Sequence, residues 1–207
     1  LGSIYQPNTI ISNIKMLLPG HRMLIEGGKE KIERYWSLQT NRNPDLRNLP
    51  YASQVKELKK LLEKSVKSHM VSDVPLGAFL SGGVDSSILV AMMSRISDNV
   101  RTFSVGFGEE GNEMDESGEA LKTANFLNTN HSTVHVNGGD IKDNINKIVR
   151  GLDQPSVDGV NSFFVSKAAR EATTVSISGT GGDELFAGYP WFSGMSKYSH
   201  GTLTLPS

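Results

Sequence analysis

From Ser53 onward the apolar positions fall into a repeating alternation of helical stripes and short runs. Val55, Leu58, Leu61, Leu62, Val66 and Met70 share one helical face, with Lys56, Glu57, Lys59, Lys60 and Lys64 on the other. That spacing predicts an amphipathic helix, with Ser53 as its expected N-cap. Val74 to Leu80 is a short apolar run that ends in a Ser/Gly turn, which predicts a buried strand. Ile88, Leu89, Val90, Met92 and Met93 then carry a helix to about Ile96. Thr102–Val105, Thr133–Val136 and Val175–Ser178 predict three more strands, with helices over 116–128, 141–151 and 160–172. Strands alternating with helices predict an α/β fold, a doubly wound parallel sheet with helices on both faces and ligands at the strand carboxyl ends. Ser81, Gly106 and Gly179 each follow a strand, so they should converge on one crevice.

Residues 1–50 have a different pattern. Ile10, Ile14, Met16, Leu17 and Leu18 are irregularly spaced and lead to the turn Pro19-Gly20-His21. Met23-Leu24-Ile25-Glu26 predicts a strand, and Gly27-Gly28 a second turn. Arg34-Tyr35-Trp36 and the polar stretch Thr40 to Asn48 look like the exit from one domain and a linker. The expected division is therefore 1–50 and 51–207.

Ser81-Gly82-Gly83-Val84-Asp85-Ser86-Ser87 carries the most specific chemistry. A strand, a tight glycine loop and a helix start form a phosphate cradle from backbone N–H groups. Gly82 and Gly83 let the chain turn and approach an anion closely. Ser86 and Ser87 place hydroxyls beside the open N–H groups of the first helical turn. Asp85 would repel phosphate unless a cation stands between them, so it reads as a magnesium ligand. The G-x-x-x-x-G-K-[S/T] loop occurs nowhere in the chain. The segment instead resembles the pyrophosphate loop of enzymes that split ATP into AMP and pyrophosphate.

Ser178-Gly179-Thr180-Gly181-Gly182-Asp183-Glu184 repeats this logic after another buried strand. Its glycines permit close approach to a nucleotide, and Asp183 could be a second oxygen ligand for magnesium. Taken alone, Asp183-Glu184 reads equally well as charge compensation at a helix N-terminus.

With 207 residues and a net charge of −1, the chain gives no reason to propose nucleic acid or an anionic membrane as a partner. No apolar run is long enough to span a bilayer and no signal peptide opens the chain, so a cytoplasmic setting is expected. Cysteine is absent, which excludes disulfides, thiolate metal sites and a cysteine nucleophile.

Gly106-Phe107-Gly108-Glu109-Glu110-Gly111 satisfies G-x-G-x-x-G, but two glutamates would face a pyrophosphate, so a dinucleotide site is not expected. His131 and His135 share one strand face and read as polar strand positions, not a metal pair. Trp36 and Trp191 are expected to pack at domain edges.

Together the two loops resemble the ATP-dependent synthetase domain of glutamine-hydrolysing asparagine synthetases and the related β-lactam synthetase. Supporting stretches are Ser72–Gly77, Phe103–Phe107, Asp115-Glu116, Asp153–Asp158 and Ser178–Tyr189. The resemblance covers nearly everything from residue 53. It implies an adenine nucleotide α-hydrolase-like fold of the PP-loop ATP pyrophosphatase kind, and a two-step reaction. A carboxylate, aspartate in the first instance, is adenylated at the α-phosphate of ATP, and ammonia then displaces AMP to form an amide.

By that resemblance Ser81, Gly82, Gly83, Asp85, Ser86 and Ser87 hold pyrophosphate and magnesium. Leu80, Val105 and Gly106 border the adenosine, and Ser178 and Gly179 touch the AMP portion. Asp85 and Asp183 share the metal. Glu184 and Tyr189 lie near the acyl adenylate, with Glu184 counted among the catalytic residues. Residues 1–50 resemble the last strands of the preceding glutaminase domain, which would be the partner that supplies ammonia. A homodimer is left open.

Three departures qualify this. The cysteine on which the family's glutaminase chemistry rests is absent. Thr180 stands where many asparagine synthetases carry an acid, which leaves other carboxylates open as substrates. The family's further helical region with its lysine does not follow, so the chain reads as a fragment. A related amidotransferase, or a nucleotide-binding module without activity of its own, are the alternatives.

Overall fold

The computed structural model describes residues 3–108, 115–156 and 158–198, with side chains in the last helix as far as residue 195. These form two compact units, one from residues 1–64 with 139–163 and one from 65–138 with 164–207.

The first unit holds an antiparallel hairpin of β1 (His21–Glu26) and β2 (Lys29–Arg34). Its two-residue turn is Gly27-Gly28, at φ +56° and +75°. Positive φ at both central positions is what a hairpin turn of matching twist requires, and glycine adopts it without steric cost. The sequence pattern shows β1 and the turn but not β2. Lys-Glu-Lys-Ile-Glu-Arg has one apolar residue, and pairing with β1 rather than burial makes it a strand. The short α1 (Pro44–Arg47) follows, capped by Asn43, whose side chain accepts from the Asp45 N–H.

Next comes α2 (Tyr51–His69). It starts earlier than expected, because the Ser53 N–H donates to the Pro50 carbonyl (2.8 Å). Ser53 therefore sits inside the first turn and is not the N-cap. Of the predicted apolar stripe only Val66 is fully buried, while Val55, Leu58 and Leu61 stay exposed.

The second unit is built on a parallel sheet. β3 (Leu76–Phe79), β4 (Arg101–Gly106), β5 (Asn130–His135) and β6 (Val175–Ile177) lie in the order β5-β4-β3-β6. Within this unit α3 (Val84–Ser94) follows β3 and α4 (Ser117–Phe126) follows β4; after β5 come α5 (Gly138–Leu152), nearly all of it in the first unit, and α6 (Gly159–Arg170), which runs from the first unit into the second. After β6 come α7 (Gly182–Phe186) and α8 (Pro190–Tyr198). This is the α/β architecture that the alternating pattern predicts, a parallel sheet flanked by helices.

Ala78, Leu80, Val90, Met93, Val100 and Phe103 are buried in this unit. Gly77 is tightly enclosed, since a β-carbon there would stand 2.7 Å from Phe103 Cε2 and 3.0 Å from the Arg101 carbonyl oxygen.

In-register pairing puts Thr102 beside His131, Ser104 beside Thr133 and Gly106 beside His135. Paired positions of parallel strands share a face, so these side chains form a polar ladder. His131 Nδ1 meets Thr102 Oγ1 at 2.9 Å, and its Nε2 meets Ser104 Oγ and Thr133 Oγ1, each at 3.2 Å. The expected polar reading of His131 holds, and no group of three or more potential ligands gathers among the described residues. None of the described helices is long and apolar enough to cross a membrane.

Candidate nucleotide site at the strand carboxyl ends

The strand order decides where a ligand can enter. From β3 the chain crosses to β4 and then β5 on one side, whereas β6 lies on the other side of β3. The turns that leave β3 and β6 are therefore neighbours at the carboxyl ends of the sheet, the place where open α/β sheets ordinarily take their ligands. The two glycine loops are those turns.

They touch. A β-carbon on Gly179 would lie 3.0 Å from the Ser86 nitrogen and 3.2 Å from the Asp85 carbonyl carbon. A β-carbon on Gly182 would collide with Asp85 Oδ2 and Cγ, and would stand 2.9 Å from Asp85 Cβ. The Asp85 carboxylate thus rests on the second loop, one residue before Asp183. Sequence spacing separates these residues by about a hundred positions; the sheet brings them together.

Within the first loop, the serines bond to the loop itself. Ser86 is buried, and its Oγ accepts from the Ser81 N–H (3.1 Å) and contacts Ser81 Oγ (2.9 Å). The Ser86 and Ser87 hydroxyls donate to the Gly83 carbonyl at 3.2 and 2.8 Å. Ser81 Oγ accepts from the Gly83 N–H at 3.2 Å. Gly83, in extended conformation, opens α3 without a side-chain cap. The first-turn N–H groups of α3 are thus left without a side-chain cap. Leu80 is buried directly beneath the loop, and its N–H extends the β3–β4 ladder to the Phe103 carbonyl (2.8 Å).

The second loop turns at Gly181, where φ is +99°. Ser178 Oγ pairs with Thr180 Oγ1 at 2.7 Å and accepts from the Thr180 N–H at 3.1 Å. The carboxylate of Asp183 leans over Gly188, where an added β-carbon would meet Oδ1. Tyr189 donates its hydroxyl to Glu184 Oε1 (2.8 Å), and Trp191 stacks on the Tyr189 ring at a centroid separation of 4.1 Å. Trp191 is 58% exposed and held by that stack, and Trp36 is also about half exposed.

At the end of β4, Gly106 faces a polar cluster, with His135 Nδ1, Ser117 Oγ and Asp115 Oδ2 at 2.8, 2.9 and 3.1 Å from where a β-carbon would stand. Val105 precedes it in the same strand. Asp115 accepts from the Phe107 N–H (2.9 Å) and the Ser117 N–H (2.8 Å). Hydrogen bonds from Ser117 foremost hold its carboxyl below the usual range. The remainder of the G-x-G-x-x-G segment, Glu109 to Gly111, lies outside the described residues.

Sequence reading attached no role to two carboxylates. Asp115 clips the two ends of the segment that follows β4, and Glu116 Oε2 accepts from the Gly82 N–H at 3.2 Å. Their signal in the sequence was the Asp115-Glu116 match to the family pattern, which carried no role for either side chain.

The Asp85 carboxylate lies on the second loop and that of Asp183 over Gly188, and carboxylates are the hard oxygen donors that a magnesium ion takes. With no third carboxylate or histidine gathered among the described residues, such an ion would complete its shell from phosphate and water, as magnesium ordinarily does.

The asparagine synthase family model matches residues 57–205. The chain belongs to that family. It is 33% identical over 192 residues to asparagine synthetase (glutamine-hydrolyzing) 1 of Bacillus subtilis, covering 89% of this chain and 29% of that protein. Against asparagine synthetase B (glutamine-hydrolyzing) of Escherichia coli it is 32% identical over 153 residues, covering 66% of this chain and 27% of the relative. This asparagine synthase family chain thus spans under a third of the length of those relatives. A solved NH3-dependent NAD synthetase from Campylobacter jejuni superposes on 68% of this chain and 61% of its own, with TM-score 0.39 and 14% identity. A likeness that slight bears on neither site nor reaction.

Proposed function

We propose that this chain is the ATP-binding portion of an amide-forming synthetase, with L-aspartate as the leading acceptor. A carboxylate oxygen of the acceptor attacks the α-phosphorus of ATP. The bond to the bridging oxygen breaks, and pyrophosphate leaves. Ammonia then attacks the acyl carbon, the carbon–oxygen bond to phosphate breaks, and AMP leaves with loss of a proton from nitrogen. The supporting observation is the contact of the two glycine loops, with the Asp85 carboxylate laid on Gly182.

In this reading Ser81, Gly82, Gly83, Ser86 and Ser87 cradle the pyrophosphate. Their contribution is electrostatic and positional, since charge spread over the phosphates is what the transfer must stabilise. Leu80, Val105 and Gly106 border the adenosine, where the closely packed Gly106 leaves no room for a side chain. Ser178 and Gly179 lie along the AMP portion. Asp85 and Asp183 would hold magnesium, which neutralises phosphate charge when bound. Glu184, held by the Tyr189 hydroxyl, faces the acyl adenylate. Residues 1–50 belong to the end of a glutaminase domain that delivers ammonia, the 51–207 division marks the synthetase part, and the setting is the cytoplasm.

A second reading keeps this chemistry with another carboxylate. It is favoured by Thr180, whose hydroxyl is engaged with Ser178 and brings no charge to the loop.

The test is release of AMP and pyrophosphate from ATP, magnesium and ammonium, with and without aspartate. Aspartate-dependent release, abolished in Asp85→Ala, supports the leading reading. Release with a different acid supports the second. ATP binding without release from any acid leaves a nucleotide-binding module, and absence of binding overturns both loops as a nucleotide site.

A further inference from the structure

We infer that the Glu116 carboxylate is an internal stand-in for phosphate on the first glycine loop, and that an incoming pyrophosphate group has to displace it. The inference rests on the reading of residues 81–87 as a phosphate cradle.

Each backbone N–H of Ser81, Gly82 and Gly83 has a partner from the chain itself. Those of Ser81 and Gly83 donate to the hydroxyls of Ser86 and Ser81, at 3.1 and 3.2 Å. The Gly82 N–H donates to Glu116 Oε2 at 3.2 Å. The three acceptors are not equivalent. A hydroxyl is neutral and can rotate to meet a new neighbour, whereas a carboxylate is an anion at the position where an anion is expected.

The first turn of α4 is set directly on the loop. A β-carbon on Gly82 would come within 2.9 Å of Glu119 Cβ and 3.2 Å of Glu116 Cβ. The absent side chain at Gly82 is therefore what lets Glu116 approach. Glu116 is an exposed residue, so its side chain can swing into water at little cost in burial. An amide has one hydrogen to give. A phosphate oxygen that takes the Gly82 N–H must evict the carboxylate, and like charge forbids a shared arrangement. The contact therefore weakens the hold on pyrophosphate, and its return favours release of that product.

The experiment is calorimetric titration of the 207-residue chain with inorganic pyrophosphate in excess magnesium, for wild type, Glu116→Gln and Glu116→Ala. The glutamine variant keeps an acceptor for the Gly82 N–H and removes the charge; alanine removes both. Both variants should bind pyrophosphate at least about threefold more tightly, a gain that shrinks as salt is added. In Glu116→Ala the Gly82 amide proton should also move upfield as its charged acceptor is lost. Unchanged or weaker binding by both variants, with wild type still binding, overturns the inference and leaves the cradle intact. No binding by any of the three overturns the cradle reading and the inference with it.

Discussion

The carboxylate of Asp85 occupies the space that a side chain at Gly182 would need, so one loop is shaped around a residue of the other. Gly182 is not among the glycines with positive φ, so alanine is sterically excluded there and not conformationally strained.

Gly182→Ala should therefore push the second loop off the first. Overpacking of this kind costs about 1–3 kcal/mol in a well-packed region, and the low end is expected at a half-exposed turn. Magnesium–ATP affinity, read by calorimetry, should fall by about tenfold or more, because misplacement of a site by an ångström is costly. Gly181→Ala is the companion variant. It meets open space and suffers only from its φ of +99°, a strain of roughly 1–2 kcal/mol. If both variants bind like wild type, the two loops do not share a ligand.

Replacing Asp85 by alanine should abolish the magnesium dependence of ATP binding and leave the melting temperature close to wild type. Outer-shell changes alone cost about 10–100-fold in metal affinity, so loss of a ligand should cost at least that. Chelation of magnesium by EDTA should weaken ATP binding by wild type and have little further effect on the variant. A variant that still responds to magnesium would remove Asp85 from the metal.

Acid should weaken the fold through two groups with depressed pKa values. Burial holds His131 below its ordinary 6.5. The unfolded chain then takes up a proton before the folded one does, and stability rises with pH wherever that holds. The His131 contribution is present above 6.5 and is lost as pH falls through the lowered folded value. Asp115, held down by its bonds from Ser117 foremost, acts likewise from an ordinary value of 3.8 downward. Urea melts at a series of pH values should show His131→Gln flattening the upper step and Asp115→Asn the lower. Parallel curves for wild type and His131→Gln would sink the first assignment.

At Gly77 the crowding is in the sheet itself. A β-carbon would press on Phe103 and the Arg101 carbonyl, so Gly77→Ala should cost about 1–3 kcal/mol, seen as a lower denaturant midpoint. It lies near the amino end of β3, away from the crevice. ATP affinity of the folded variant should stay within about twofold of wild type, as for distant sites.

Much of the fold can be read from local pattern. The runs at Leu76–Phe79 and Val175–Ile177 mark strands, although the second, expected to be buried, leaves Val175 exposed, and the stripe through Val90, Met92 and Met93 marks α3. Where local pattern fails, pairing has taken over. β2 is charged along its length and is a strand because β1 lies beside it. Thr102, Ser104 and His131 are polar yet sit in the sheet's interior, because they satisfy one another across β4 and β5.

The site divides along the same line. Ser81 to Ser87 and Ser178 to Glu184 announce themselves by residue type at short spacing, which is enough to identify two anion-friendly turns. Hydrophobic alternation and glycine placement act over a few residues, so sequence alone determined the strands other than β2, the glycine turns and the chemical character of each loop. That Asp85 rests on Gly182, that Glu116 takes the Gly82 N–H, and that β6 lies beside β3 and not beside β5 are long-range choices. Only closing the sheet makes them, because each depends on which strands share hydrogen bonds.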